Sequence, residues 1–161
     1  MIKIRSGIGY DIHRLGKGNG LFLGGVKVSS SLKADAHSDG DVLIHSLIDS
    51  LLGAMGEPDI GELFPDTDPR LDGVSSSILL EKVRSLMKSN DFEIINVDCV
   101  IITETPKISD FKKEIRKNLA RILGVPASTI NIKGKTKEKL DAFGRGEAIE
   151  SYAVSMIRSK K

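Results

Sequence analysis

Histidine, aspartate and serine crowd into one short stretch, AHSDGDVLIH, running from Ala36 to His45. Of the 3 histidines in the chain, His37 and His45 lie here, and His13 lies in a second polar stretch, GYDIH, nearer the N-terminus. Asp11 and His13 stand two residues apart, so on a strand both side chains share one face. His45 falls in the first two turns of a helix whose apolar positions are Val42, Ile44, Leu47, Ile48, Leu51 and Leu52, with Ser38 or Asp39 able to cap it. A strand pair and a helix histidine supply three nitrogen and oxygen donors without a fourth. That is the pattern of an open zinc site, whose free position takes water or substrate. A lone histidine is more often a surface or core residue. Their grouping with Asp11 favours the metal.

The elements that must position these groups follow from periodicity. Ile2, Ile4, Ile8, Tyr10 and Ile12 alternate over residues 2 to 13, predicting a half-buried strand with Asp11 and His13 at its end. GKGNG, at 16 to 20, is a turn into LFLGGVKV, a second strand bulged at Gly24 and Gly25, so the two read as a hairpin. Neither GKGNG nor GRGE matches a phosphate-binding glycine loop. Serines 29 to 31 read as a loop, and the helix spans about 41 to 55. GEPDIGELFPDTDPRLDG follows, a loop long enough to suggest function. Its Asp59, Asp66 and Asp68 suit polyol hydroxyls or a second cation, and Phe64 offers an apolar surface.

SSSILLEKVRSLMKSN predicts an amphipathic helix with Ile78, Leu79, Val83, Leu86 and Met87 packed inward. EIINVDCVIITE, residues 93 to 104, is apolar on both parities, as a central strand covered on both faces would be. Ser109 is placed to cap a third helix carrying Phe111, Ile115, Leu119 and Ile122 and ending at Gly124. TINIKGK alternates again, and its lysine row, Lys133, Lys135, Lys137 and Lys139, suits either phosphate or solvent. ESYAVSMI fits a helix nearly as well as a strand, and the strand is preferred. The order gives an α+β fold, a mixed β-sheet with helices packed over it.

At 161 residues, 40% hydrophobic and 29% charged, the whole chain, 1 to 161, reads as one domain. A net charge of +2, with no aromatic residues among the basic ones, speaks against nucleic acid. No run of 18 apolar residues speaks for a membrane span. The single cysteine, Cys99, sits in VDCVII and reads as a buried thiol in a reducing compartment. A cytoplasmic protein, or the mature form of an organellar one, is expected.

DIH at 11 to 13, AHSDGDVLIH at 36 to 45, DIGELFPDTDP at 59 to 69, Pro106-Lys107, and EKL followed by GRGE resemble the 2-C-methyl-D-erythritol 2,4-cyclodiphosphate synthase family, in its order and spacing. The match covers nearly the whole chain. The resemblance implies cyclisation of 4-diphosphocytidyl-2-C-methyl-D-erythritol 2-phosphate with release of CMP, in non-mevalonate isoprenoid biosynthesis. It further implies a sheet with helices on one face and a homotrimer with active sites between subunits. Asp11, His13 and His45 would hold zinc, with Asp11 and His13 also near substrate. His37 and Ser38 would meet the 2-phosphate, Asp59, Ile60 and Gly61 the methylerythritol, and Phe64, Pro65, Asp66, Thr67 and Asp68 the loop around it. From the neighbouring subunit, Thr103, Glu104, Thr105, Pro106, Lys107, Ile108 and Ser109 would surround the cytosine. Lys135, Thr136, Lys137 and Glu138 would meet the diphosphate, Glu138 holding a second divalent ion, magnesium or manganese. His37 and Thr136 would be the catalytic pair. Arg145 and its neighbours would line the trimer's centre, where isoprenoid diphosphates bind. The family's TTTEKLGFTGRGEG is KTKEKLDAFGRGEA here, so Lys135 replaces a threonine and Ala142 an aromatic residue, with Phe143 one position later.

The implied chemistry follows from charge. The substrate's 2-phosphate oxygen, already ionised, attacks the β-phosphorus, so positioning and neutralisation dominate and no general base is needed. Asp49, one helical turn after His45, or Asp41, one turn before it, is expected to orient the imidazole. Two other classes fit the same residues. In a metal-dependent phosphoesterase, hydroxide would be the nucleophile. A metal-stabilised scaffold would need a closed fourth ligand, and Cys99 sits poorly for that role.

Overall fold

A computed structural model describes residues 2–65 and 67–159. Asp66, one of the loop aspartates, lies outside the described residues. The chain begins with a long strand, β1 (Ile4–Lys17), then two short ones, β2 (Leu21–Leu23) and β3 (Val26–Ser29), and β4 (Leu32–Ala34). Helix α1 (Val42–Met55), a single helical turn α2 (Ile60–Leu63) and helix α3 (Ser76–Ser89) follow. The second half alternates: β5 (Phe92–Ile102), α4 (Lys112–Leu123), β6 (Ile130–Lys135), the short α5 (Asp141–Gly144) and β7 (Ala148–Ser159). Five strands form one mixed sheet in the order β4-β1-β7-β5-β6, antiparallel except for the parallel pair β5 and β6. The helices pack on one face of it, as expected.

The close fit of α1 to that face depends on small residues. A Cβ on Gly9 would sit 1.8 Å from the Ser46 carbonyl oxygen, and one on Gly7 would sit 2.0 Å from that of Ser50. The helix backbone therefore rests directly on β1. Ser46 also donates to Ser151 of β7 at 2.9 Å, inside a contact where both residues are fully buried. Leu43, Ile44, Leu47, Ile48, Leu51 and Leu52 of α1 are wholly buried with Leu80 and Val83 of α3 and Ile115 and Leu119 of α4. This is the core between the helices and the sheet.

Several local expectations need correction. The apolar parity of β1 faces away from the helices: Ile4, Ile8, Tyr10 and Ile12 are exposed, while the glycine and polar parity carries α1. LFLGGVKV does not pair with β1. It folds on itself as the β2–β3 hairpin, turning at Gly24 and Gly25, whose φ of 60° and 73° suit the turn that matches strand twist. In place of LFLGGVKV, β4 pairs with the end of β1. The cap of α1 is Asp41, which accepts from the Ile44 N–H at 3.0 Å, and neither Ser38 nor Asp39 plays that role. Ser109 does not cap α4. It lies in a 3-10 turn and donates to Asp110 at 2.9 Å. In α3, Leu79, Val83 and Met87 are buried and Leu86 packs against the core as expected, but Leu80 is buried with them and Ile78 is exposed. β5 buries only Val97, Cys99 and Ile101, so one face is covered by helices and the other is half open.

Candidate metal centre and active site

Asp11 and His13 leave β1 on the helix side, and α1 lowers His45 onto them. Asp11 Oδ2 lies 3.0 Å from His13 Nε2 and 2.9 Å from His45 Nδ1, and the two nitrogens are 3.2 Å apart. Bonds of about 2.0–2.1 Å to one tetrahedral ion would place such ligand atoms about 3.3 Å from one another. The three donor atoms thus already stand close to the spacing a zinc-sized cation demands. All three residues are half-buried. Burial pushes the Asp11 carboxyl up, but hydrogen bonds from His13 and His45 outweigh it and bring the pKa to about 2. Burial likewise opposes the charged form of His45, yet the bond to Asp11 and the carboxylates of Asp11, Asp41 and Asp39 hold its pKa above the ordinary value. The negative field that draws a proton here also draws a divalent cation.

Neither expected aspartate orients the His45 ring. Asp49 accepts from the Ile60 N–H at 2.8 Å and so anchors the loop after α1. Asp41 is buried, and besides capping α1 it accepts from the N–H groups of Gly24 and Gly25 at 2.9 and 2.7 Å. The outer nitrogen of His45, Nε2, meets Ser76 Oγ at 2.9 Å and Ser38 Oγ at 3.1 Å. Ser76 in turn is bonded to Asp39 through both its hydroxyl and its N–H. At the head of α3, among three consecutive serines, Ser76 carries no local mark of this role. Only its position in space connects it with His45.

The three donors open into a cavity of about 680 Å³. His37, Ser38, Ile60, Gly61, Phe64 and Thr67 line it, together with Asp35 and Asp72, which the sequence did not single out. Asp59 stays off the wall and caps α2 through the Glu62 N–H at 2.9 Å. Asp68 is held by Arg70, with the guanidinium at 2.7 Å, and Pro65 is exposed. Neither of them lines the cavity.

The remaining site residues gather elsewhere, where β5 and β6 end side by side. Glu104 accepts from the N–H groups of Lys137 and Lys139 at 3.0 and 3.3 Å, tying segment 103–109 to the turn after β6. Thr103 takes part through its N–H, donated to the Lys135 carbonyl at 3.1 Å, and through its hydroxyl, donated to the Thr105 carbonyl at 2.7 Å. Pro106 and Lys107 lead to Ile108, which packs beneath Gly134, and Ser109 follows in the same turn. Thr136 donates to Glu138 at 3.2 Å, and Glu138 and Lys139 adopt φ of 51° and 61°. The lysines form no single row: Lys133 pairs with Asp98 at 2.6 Å and Lys137 with Glu150 at 3.2 Å. Phe143 lies under the Lys137 ammonium, 5.0 Å from the ring centre, and Arg145 pairs with Glu147 at 2.9 Å. No residue of this second group lines the cavity of the same chain.

The model of the YgbB family matches residues 4–158. The chain is 47% identical over 158 residues to the 2-C-methyl-D-erythritol 2,4-cyclodiphosphate synthase of Halothermothrix orenii, covering 98% of this chain and 96% of that one. Among solved structures, a CDP complex of IspF from Plasmodium falciparum superposes with a TM-score of 0.87 at 42% identity, covering 98% of this chain and 97% of that one. The bifunctional IspDF from Campylobacter jejuni superposes with a TM-score of 0.95 at 38% identity over 99% of this chain, which spans 43% of that longer one.

Proposed function

The chain belongs to the YgbB family, that of the 2-C-methyl-D-erythritol 2,4-cyclodiphosphate synthases, and from that premise we propose how its residues divide the work. The enzyme is a lyase of isoprenoid biosynthesis that cyclises 4-diphosphocytidyl-2-C-methyl-D-erythritol 2-phosphate and releases CMP. The observation that carries the reading is the convergence of Asp11, His13 and His45 on one point at the edge of a cavity walled by His37, Ser38 and the α2 segment.

The donor set of one carboxylate and two imidazoles, spaced as above, fits zinc. Glu138, whose carboxylate accepts from the Thr136 hydroxyl, fits a magnesium or manganese ion completed by phosphate oxygens. When bound, these ions supply Lewis-acid neutralisation of the β- and α-phosphates. His37 and Ser38 hold the 2-phosphate so that its oxygen stands in line with the β-phosphorus. Ile60, Gly61, Phe64 and Thr67 enclose the methylerythritol and limit water, which would otherwise compete as nucleophile. Asp59 acts by shaping α2, and Asp68 by shaping the loop.

The cytidine and diphosphate group, Thr103 to Ser109 and Lys135 to Glu138, works from a neighbouring copy in a homotrimer. Two features support this. The group does not line the cavity that Asp11, His13 and His45 of its own chain open into, and the sheet face away from the helices carries exposed Ile4, Ile8, Tyr10, Ile12, Tyr152, Val154 and Met156. A bare apolar face of that extent marks an interface. No helix among the described residues is long and apolar enough to cross a membrane. Action in the cytoplasm on a soluble nucleotide, without nucleic acid, completes the proposal.

Phosphorus NMR with the cytidylyl substrate, zinc and magnesium tests it. The expected result is CMP with a coupled pair of cyclic diphosphate resonances, and a loss of turnover on the order of 100-fold or more in His45→Ala. Monoester phosphate in place of the ring would make the protein a phosphoesterase and sink the proposed division of roles.

A further inference from the structure

We propose that Ser76, backed by Asp39, is a positioning residue that decides which nitrogen of His45 faces the metal; the inference rests on the zinc reading above. His45 can present an Nδ1 lone pair beside Asp11 and His13 only if the ring proton resides on Nε2. Nε2 lies 2.9 Å from Ser76 Oγ. Ser76 is fully buried, its hydroxyl bonded to Asp39 Oδ1 and its N–H donated to Asp39 Oδ2 at 3.0 Å. A carboxylate only accepts, so the Ser76 hydroxyl proton is committed to Asp39 and the Ser76 oxygen is left to accept from Nε2–H. One carboxylate therefore sets the direction of each bond in the chain from Asp39 through Ser76 to His45, and with it the tautomer that binds metal.

Ser38 also reaches Nε2, at 3.1 Å, but among the described residues no carboxylate is bonded to it. Its Oγ accepts from the Gly40 N–H at 3.2 Å, and the residue lines the cavity. Its hydroxyl is free to turn toward an anion there, whereas that of Ser76 is not. The two serines on one imidazole nitrogen thus divide between substrate and ligand orientation.

The test is zinc titration of the metal-stripped protein against a chromophoric chelator, with the visible spectrum of the cobalt-loaded protein and the melting temperature of the stripped protein recorded beside it. Ser76→Ala is expected to weaken zinc binding by about 10–100-fold and to alter the cobalt bands, while the stripped protein melts close to wild type. Asp39→Asn is expected to weaken binding as well, since the carboxamide places a donor where the chain needs an acceptor. The double variant should bind no more weakly than Ser76→Ala alone, because both changes break one chain. Wild-type zinc affinity in Ser76→Ala, or losses that simply add in the double variant, would overturn the proposal. Failure of the wild type to bind zinc, or binding undiminished in His45→Ala, would instead bring down the zinc reading on which it rests.

Discussion

Cys99 faces the helices from the middle of β5 with no exposed surface. Burial pushes its thiol from an ordinary 9.0 up to about 12, with the charge of Asp98 adding to the effect. Two consequences follow at this one residue. A thiol reagent at pH 8 should leave the native protein unmodified and titrate one equivalent in urea. Between about pH 9 and 12 the folded state keeps a proton that the unfolded chain has lost, so this group's stabilisation is complete below pH 9 and falls as pH rises. Urea midpoints measured at pH 8 and pH 10 should therefore draw apart in the wild type by more than in Cys99→Ala. Equal pH dependence in the two proteins would refute the assignment. Cys99 also lies outside the group of metal-capable side chains formed by Asp11, His13 and His45 among the described residues, so it offers no fourth ligand there.

At the scale of elements, the site depends on how closely α1 approaches the sheet. Asp11 and His13 are carried by β1 and His45 by α1, so the separation of strand and helix sets the ligand spacing directly. Gly7 and Gly9 permit that separation by offering no Cβ at the two points where the helix backbone touches the strand. Gly9→Ala forces a methyl into the Ser46 carbonyl, and is expected to cost about 1–3 kcal/mol or more in urea unfolding and to weaken metal binding together with it. Gly16, on the same strand, has nothing within 4 Å of its Cβ position. Its alanine variant should fall within about 0.5 kcal/mol of wild type. Equal stability of the two variants would show that the close approach does not govern the site. Asp41 belongs to the same scale. Its single buried carboxylate joins the head of α1 to the Gly24-Gly25 turn, so the hairpin and the metal helix are placed as one unit.

For the whole molecule, the decisive feature is a sheet covered on one side only. Val154 and Ile8 sit opposite each other on β7 and β1 with 45% and 70% of their surface exposed, and beside them the Tyr10 and Tyr152 rings meet at 4.7 Å, tilted by 42°. Ile8→Glu places a charge in the middle of this face. On the proposed arrangement, sedimentation should show a trimer for the wild type and a monomer for the variant, with turnover lost because the cytidine and diphosphate group of one copy would no longer meet the cavity of the next. A wild-type monomer with full activity would contradict this arrangement. The stripped variant's zinc affinity should remain that of wild type, since Asp11, His13 and His45 come from one chain.

Much of this was legible in the amino-acid order. Local rules act over a few residues, so the spacing of Asp11 and His13 on a strand, the amphipathic pattern around His45, the glycine end of α4, and the buried character of Cys99 could all be read directly. The candidate metal triad was legible because two local motifs hold every histidine in the chain. The rest was settled by contacts between residues far apart in the chain. Periodicity reveals that β1 has an apolar side but not which side meets the helices, because a glycine face can pack as closely as an isoleucine face when a helix lies on it. It cannot tell a bulge at Gly24-Gly25 from the turn of a separate hairpin, since both want a left-handed backbone. Nor can it connect Ser76 and Asp39 with His45, or Glu104 with the backbone of Lys137. Those bonds exist only once the sheet has brought distant segments within hydrogen-bond reach.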